Sequence, residues 1–119
     1  MTEAVRISPA EAQAKMSEGY TYVDVRTPEE FADGRPAGSV NVPLADDFVQ
    51  RMDARFAKDA KIIVGCKAGG RSARAAGVLS AAGYTNVFDQ RAGFDAVRGT
   101  FGEITEPGWS RAGLPTEKG

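Results

Sequence analysis

The sequence predicts an α/β fold built on a parallel sheet, and two observations carry this prediction. Short apolar runs alternate with stretches of helical periodicity along most of the chain, as in a parallel sheet with crossover helices. Two helical stretches also begin with capping signatures. The first helix is expected from Ser8, because Pro9 suits a first helical turn and Glu11 completes a capping box. A strand is expected next, over residues 21–25.

The next segment, residues 27–56, is predicted to form a short helix, a loop, a strand and a longer helix. A second capping pattern opens a short helix over residues 27–31. Residues 34–38 are expected to form a loop, because their glycines and proline break both regular structures. A short strand over residues 39–42 follows. Residues 46–56 are predicted to be helical, since their apolar side chains recur at helical spacing.

The second half contains the clearest buried strand, residues 61–65, which read KIIVG. A helix is predicted to begin near Ser72 and to stop at Gly83, a residue type common at helix ends. Residues 86–88 are expected to form the last strand of the sheet, and residues 94–101 a short helix.

The length and the end of the chain predict one domain over residues 1–119, with its core at about 5–115. A chain of 119 residues has room for one sizeable core. Trp109 and Leu114 are expected to anchor the Gly- and Pro-rich end, and the last few residues are expected to be mobile. Neither an internal repeat nor an interdomain linker is visible in the sequence.

The charge balance predicts partners other than nucleic acid or membranes. The net charge is −1, from 15 basic and 16 acidic residues, so there is no general attraction to polyanions. The first residues lack the apolar core of a secretory signal, and no long apolar run is present. We therefore expect a cytoplasmic protein, and nothing in the sequence requires more than a monomer.

The counts of cysteine and histidine exclude several kinds of site. One cysteine cannot form an internal disulfide, a CxxC redox pair or a multi-thiolate metal site. The absence of histidine excludes histidine metal sites, Ser-His and Cys-His pairs, and histidine acid/base catalysis. Binding of Mg²⁺ or Ca²⁺ by Asp and Glu alone is not excluded by these counts, but no EF-hand-like spacing is present in the sequence. We expect a site with no metal and no cofactor.

Cys66 is predicted to be a reactive nucleophile. It follows the buried strand directly, which places it at the carboxyl edge of the sheet, where open α/β folds bind ligands. The turn from Lys67 to Gly70 can curl its N–H groups around an anion, and the helix near Ser72 directs its positive end at the same place. Lys67 and Arg71 add full positive charges. These effects favour thiolate over thiol, whereas a lone cysteine without this context is usually a small buried hydrophobe.

Three segments of the chain resemble the rhodanese-like sulfurtransferase family, specifically its single-domain members. Residues 22–31 (YVDVRTPEEF), 34–43 (GRPAGSVNVP) and 66–72 (CKAGGRS) are similar to the family's signatures in the expected order. Residues 92–94 and 113–115 resemble two later elements less specifically. Two departures stand out: Arg35-Pro36 replaces the family's usual His-aliphatic pair, and Ala92-Gly93 replaces a glycine pair.

The resemblance implies a five-stranded, mainly parallel sheet flanked by helices on both faces. It also implies transfer of sulfane sulfur from thiosulfate or a related donor to cyanide or a thiol, on a protein or a small molecule, through a persulfide of Cys66. Arg71 would face the anionic donor as a second catalytic residue. Asp24 and Arg26 would form a structural ion pair near the site, while Glu30 and Phe31 look like helix surface and core. The anion cradle of the loop would be formed by Lys67, Ala68, Gly69, Gly70 and Ser72.

Two alternatives remain. One is phosphoryl or arsenate chemistry on a related loop. Protein tyrosine phosphatases and the related dual-specificity cell-cycle phosphatases separate the loop cysteine and arginine by five residues, whereas four residues separate Cys66 from Arg71. The shorter spacing gives a tighter cradle, better matched to a persulfide than to a phosphoryl group. The other alternative is a noncatalytic rhodanese-like module for binding or regulation. Such modules typically lack the cysteine, which this chain has.

Overall fold

The computed structural model describes residues 4–119, which fold into strands and helices that alternate through most of the chain. In chain order the elements are β1 (Val5–Ile7), α1 (Pro9–Ser17), β2 (Thr21–Asp24), α2 (Pro28–Asp33), β3 (Arg35–Pro36), β4 (Val40–Asn41), α3 (Phe48–Arg55), β5 (Ile62–Gly65), α4 (Gly70–Ala81), β6 (Val87–Gln90), β7 (Ala96–Arg98), β8 (Ile104–Pro107) and β9 (Thr116–Glu117).

Five of the strands form one sheet in the order β1-β6-β5-β2-β4, and every neighbouring pair is parallel. The predicted α/β class and five-stranded parallel sheet are therefore confirmed. The sequence pattern did not identify β1, which occupies an edge of the sheet. Strand β5 lies at its centre, with Ile62 opposite both Thr21 and Val87. The residue that follows β5 therefore lies in the middle of the carboxyl edge.

Helices cover both faces of the sheet, as expected. Because side chains alternate along a strand, β5 contributes to two apolar clusters. Ile62 and Val64 belong to one cluster, together with residues of α3 and α4 (Phe48, Met52, Ala75, Ala76 and Leu79). Ile63 faces the other way and belongs to a second cluster, together with Ala12 of α1, Tyr22 and the predicted anchor Trp109. No helix within residues 4–119 is long and apolar enough to cross a membrane.

Both predicted capping boxes are present. The Ser8 hydroxyl accepts a hydrogen bond from the Glu11 amide (3.1 Å), and the Glu11 carboxylate accepts one from the Ser8 amide (2.9 Å). Thr27 and Glu30 make the same reciprocal pair at the start of α2. These bonds satisfy amide groups that a helix N-terminus otherwise leaves without a partner.

The helix predicted over residues 94–101 is wrong, because this segment forms the first half of a β-hairpin. Strand β7 pairs antiparallel with β8, and the chain turns between them where Gly99 donates to the carbonyl of Glu103 (2.8 Å). Gly99 and Gly102 disfavour a helix, and Gly102 has a φ of +81°. The partner strand lies outside the segment whose apolar spacing suggested a helix.

The loop predicted over residues 34–38 also needs correction. Arg35 and Pro36 form β3, which pairs antiparallel with β9 at the chain end. Proline is tolerated because this ladder is only two residues long and lies apart from the main sheet. Mobility of the last residues stays a prediction. Finally, α4 begins at Gly70, two residues before the predicted start at Ser72.

Candidate active site

Cys66 lies at the carboxyl edge of the sheet, immediately after the central strand β5, and it is 2% exposed. Helix α4 begins four residues later, so residues 66–69 alone connect strand and helix. The turn after β6, residues 91–95, is hydrogen-bonded to the first residues of this connection. The amides of Phe94 and Asp95 donate to the carbonyls of Cys66 (2.7 Å) and Lys67 (3.0 Å). The loop therefore cannot move independently of the turn.

The sulfur of Cys66 faces hydrogen-bond donors of its own loop. The Gly69 amide donates to Sγ at 3.1 Å, and the thiol lies 3.6 Å from the Ser72 hydroxyl, to which it donates. The amides of Gly70, Arg71 and Ser72 are the first three of α4, and a helix provides no acceptor for such groups. The positive end of the α4 dipole therefore lies beside the sulfur.

Two glycines allow the loop and the turn after β6 to lie against each other. Gly69 has a φ of +95°, and a Cβ at this position would overlap the carbonyl oxygen of Arg91. Gly93 has a φ of +70°, and its Cβ would overlap the carbonyl of Lys67. Position 92 has no such requirement, because the Ala92 side chain is accommodated in the interior. This accounts for alanine in place of the family's first glycine.

Gln90, which the sequence analysis did not identify, holds this turn in place. Its amide oxygen accepts from the amides of Ala92 (2.7 Å) and Gly93 (2.9 Å), and its amide nitrogen donates to the Gly93 carbonyl (2.8 Å) and to the Tyr22 hydroxyl (3.1 Å). Burial raises the pKa of Tyr22 well above its usual value. The tyrosine therefore stays protonated and acts as a structural group.

Arg71 is held by Glu30 in a two-pronged ion pair, with Nη1–Oε1 and Nη2–Oε2 distances of 2.7 and 3.0 Å. The side chains are 40% and 30% exposed, respectively. The Arg71 hydrogen bonds lower the pKa of Glu30 to about 2, against the opposing effect of burial. Glu30 was expected to be plain helix surface; it connects the cap of α2 to the loop of Cys66. Its place in the capping box marked it as a cap, and no local signal indicated its bond to Arg71.

The remaining loop residues differ in exposure. Gly69 and Ser72 are buried, whereas Lys67, Ala68 and Gly70 face solvent. Of the residues predicted to form the cradle, Gly69 and Ser72 contact the sulfur, and Lys67 lies at the outer surface of the loop; their role in binding an anion stays a prediction. The Ser72 hydroxyl donates to the Gly69 carbonyl at 3.2 Å, which closes the loop on the side of α4.

Asp24 and Arg26 form a buried ion pair beside the site. The shortest contact is 2.6 Å, and the side chains are at most 5% exposed. Arg26 also donates to the Gly34 carbonyl (2.6 Å), and its guanidinium lies 4.6 Å from the Phe94 ring centre. The pair thus connects β2 with the start of β3 and with the turn that supports the Cys66 loop.

Arg35 and Pro36, which replace the family's usual His-aliphatic pair, contact the end of the chain. Arg35 pairs with Glu117 (3.3 Å) and donates to the Gly119 carbonyl (3.1 Å). Its guanidinium lies 4.5 Å from the ring centre of Phe31. Phe31 is half-buried under this arginine, so its expected place in the core is wrong.

The chain is similar to known proteins over most of its length. The family model described as Rhodanese-like domain matches residues 8–100. Thiosulfate sulfurtransferase 16, chloroplastic, of Arabidopsis thaliana is 38% identical over 109 residues, with 83% of this chain and 81% of that protein covered. Thiosulfate sulfurtransferase GlpE of Ectopseudomonas mendocina is 37% identical over 110 residues, covering 91% and 97%.

A solved structure shows the same fold. The crystal structure of Rv0390 from M. tuberculosis has a TM-score of 0.84 to this chain at 28% identity, and the match covers 99% of this chain and 100% of that one. The family model also spans both the capped helices and the Cys66 loop described above. The chain therefore belongs to the rhodanese-like domain family.

Proposed function

We propose that the protein is a sulfurtransferase that carries sulfane sulfur from thiosulfate or a related donor to cyanide or a thiol as a persulfide of Cys66. The observation that carries the proposal is the hydrogen bond from the Gly69 amide to Cys66 Sγ at the start of α4. A backbone donor at this position stabilises negative charge on sulfur. The relatives named thiosulfate sulfurtransferase support the same chemistry.

The first half-reaction is a displacement at sulfur. The Cys66 thiolate attacks the outer sulfur of thiosulfate, a sulfur–sulfur bond forms, and the bond to the sulfonate breaks. Sulfite leaves with the electron pair, and the Cys66 persulfide carries one negative charge. In the second half-reaction cyanide or a thiolate attacks the terminal sulfur, and the electron pair of the broken bond returns to Cys66. No step needs a metal or a cofactor.

The charged donor would be bound by the loop and by two cationic side chains at its edge, Arg71 and Lys67. The free amides of Gly70, Arg71 and Ser72 suit the sulfonate oxygens and then the persulfide anion. The pair with Glu30 uses one N–H group of each terminal Arg71 nitrogen, and a guanidinium has five. The other N–H groups are available to the donor, and Lys67 adds charge at the outer surface.

We further propose that the protein acts as a monomer in the cytoplasm.

The test is formation of thiocyanate from thiosulfate and cyanide. We expect turnover by the wild-type protein and none by Cys66→Ser, a variant that replaces sulfur with oxygen at nearly the same volume. The same two proteins should release no phosphate from p-nitrophenyl phosphate.

Two results would contradict the proposal. Release of phosphate that depends on Cys66, without thiocyanate, would show a phosphatase. A folded protein that takes up sulfur from neither thiosulfate nor glutathione persulfide would be a binding module.

A further inference from the structure

We propose that Arg6 is a positioning residue for Cys66, and that the buried carboxylate of Asp89 holds it in place. This role concerns the reactivity of the Cys66 sulfur and rests on the proposed function only for the identity of the sulfur donor. The contacts that support it lie at the edge of the sheet, between residues far apart in the sequence.

Arg6 connects the edge strand to the loop. In the parallel register of β1 and β6, Arg6 lies opposite Asp89. Its Nε donates to Asp89 Oδ2 at 2.8 Å, and its Nη2 donates to the Gly69 carbonyl at 3.1 Å. One planar guanidinium thus bridges a carboxylate of the sheet and the backbone of the loop. Lysine carries its three N–H donors on one nitrogen and cannot reproduce a bridge made by two nitrogens of a rigid plane.

Asp89 is unusual for the interior of the sheet. It is 1% exposed, and its Oδ1 has no hydrogen-bond partner within residues 4–119. A buried carboxylate with one oxygen left without a partner destabilises a fold, and an ion pair with the half-exposed Arg6 does little to offset this cost. Stability therefore does not explain an aspartate here, whereas orientation of Arg6 does.

Gly69 transmits the effect to the sulfur. Its carbonyl accepts from Arg6, from the Ser72 hydroxyl (3.2 Å) and from the Ala73 amide (3.2 Å), and its amide donates to Cys66 Sγ. The left-handed conformation of Gly69 directs the amide at the sulfur, and such a residue has alternative conformations of similar energy. Loss of the Arg6 bond would leave the carbonyl bonded to α4 alone, through Ser72 and Ala73, and without this link to the edge strand the amide could turn away from the sulfur.

The test compares three variants with the wild-type protein. Arg6→Met combined with Asp89→Leu removes both charges and leaves neither one buried alone. Arg6→Lys keeps the charge and removes the bridge. Arg51→Met is the matched control, because Arg51 pairs with Asp47 through its Nε (2.8 Å) on α3, outside the loop and its supporting turn, and is 58% exposed, against 49% for Arg6. The rate of Cys66 alkylation by iodoacetamide, the rate of sulfur loading from thiosulfate and the unfolding midpoint are measured for each.

We expect alkylation and loading to fall about tenfold in the double variant, since small displacements of a reacting group are costly, and its unfolding midpoint to stay near that of the wild type. Arg6→Lys should be slowed as well, and Arg51→Met should not. Unchanged alkylation in both Arg6 variants, or an equal fall in Arg51→Met, would overturn the proposal. If the double variant does not fold, Arg6→Lys decides. A wild-type protein that is not loaded with sulfur would refute the proposed function, and the alkylation rates would still test the role of Arg6.

Discussion

The loop of Cys66 and the hairpin of β7 and β8 adjoin the same turn after β6, and they are held in different ways. The loop is bound from the turn by Phe94 and Asp95, from the edge strand by Arg6 and from α2 by Glu30. The hairpin pairs antiparallel with itself and is tied to the turn at its base by the Arg91–Glu106 pair, while the Phe101 side chain at its tip is 94% exposed. We infer that a change in any support of the loop reaches the sulfur, whereas a change at the hairpin tip does not.

The largest effect is expected for Gly69→Ala. The new Cβ would need a left-handed conformation and would overlap the Arg91 carbonyl, so the loop must open and its amide must leave the sulfur. We expect sulfur transfer to fall by about a hundredfold or more, and the free energy of unfolding to fall by about 1–3 kcal/mol. Thiocyanate formation and urea denaturation measure the two effects.

Gly77→Ala is the control for this variant. Gly77 lies within α4, the helix that Gly69 precedes, and its φ is negative. Apart from its chain neighbours and the backbone of its own helix, no atom of residues 4–119 lies within 4 Å of a Cβ placed there. Its stability should rise by about 0.5–1 kcal/mol, and its activity should not change. Equal activity of the two variants would show that the loop does not depend on the conformation of Gly69.

A smaller effect is expected for Glu30→Gln. Glutamine can still complete the capping box with Thr27, so the substitution removes mainly the charge that holds Arg71. We expect kcat/KM for thiosulfate to fall by about fivefold, or about 1 kcal/mol, because Arg71 loses its fixed position. Glu29→Gln removes the same charge from an exposed site in the same turn and should change kcat/KM much less. Equal effects would point to overall charge and not to the position of Arg71.

The pair of Glu30 and Arg71 also predicts a dependence of stability on pH. The pKa of Glu30 is lowered from 4.5 to about 2, chiefly by the Arg71 hydrogen bonds. The ionised carboxylate therefore stabilises the fold above pH 4.5, and this contribution is lost as the pH falls to about 2.

Urea midpoints of the wild type and Glu30→Gln measure this contribution. The difference between the two proteins should be largest above pH 4.5 and should close as the pH falls to about 2. A difference that is constant over this range would mean that Glu30 stabilises the fold by contacts other than its charge.

The smallest effect is expected for Phe101→Ser at the hairpin tip. The side chain is almost fully exposed, so we expect the free energy of unfolding to change by less than about 0.5 kcal/mol. The rate of sulfur loading should stay at the wild-type value. A clear fall in that rate would contradict the separation of hairpin and loop.

The same two regions show what can be predicted from the sequence. The loop was predicted because its determinants are local: a buried strand, Cys66, a glycine pair and Arg71 follow one another within a few residues. The hairpin was mistaken for a helix because its partner strand lies beyond the segment with helical spacing. For the same reason, the sequence could not predict the ion pair of Arg6 with Asp89, which are 83 positions apart. Nor could it predict the pairing of Arg35 with the chain end. Contacts of this kind depend on the completed sheet and leave no local pattern.

The central claim, that Cys66 carries sulfur, is tested most directly by the intact mass of the protein after treatment with thiosulfate. We predict a gain of one sulfur, about 32 Da, that maps to Cys66 and is removed by cyanide. The Cys66→Ser variant should show no gain. A reduced and folded wild-type protein that gains no sulfur from thiosulfate or from glutathione persulfide would contradict the account.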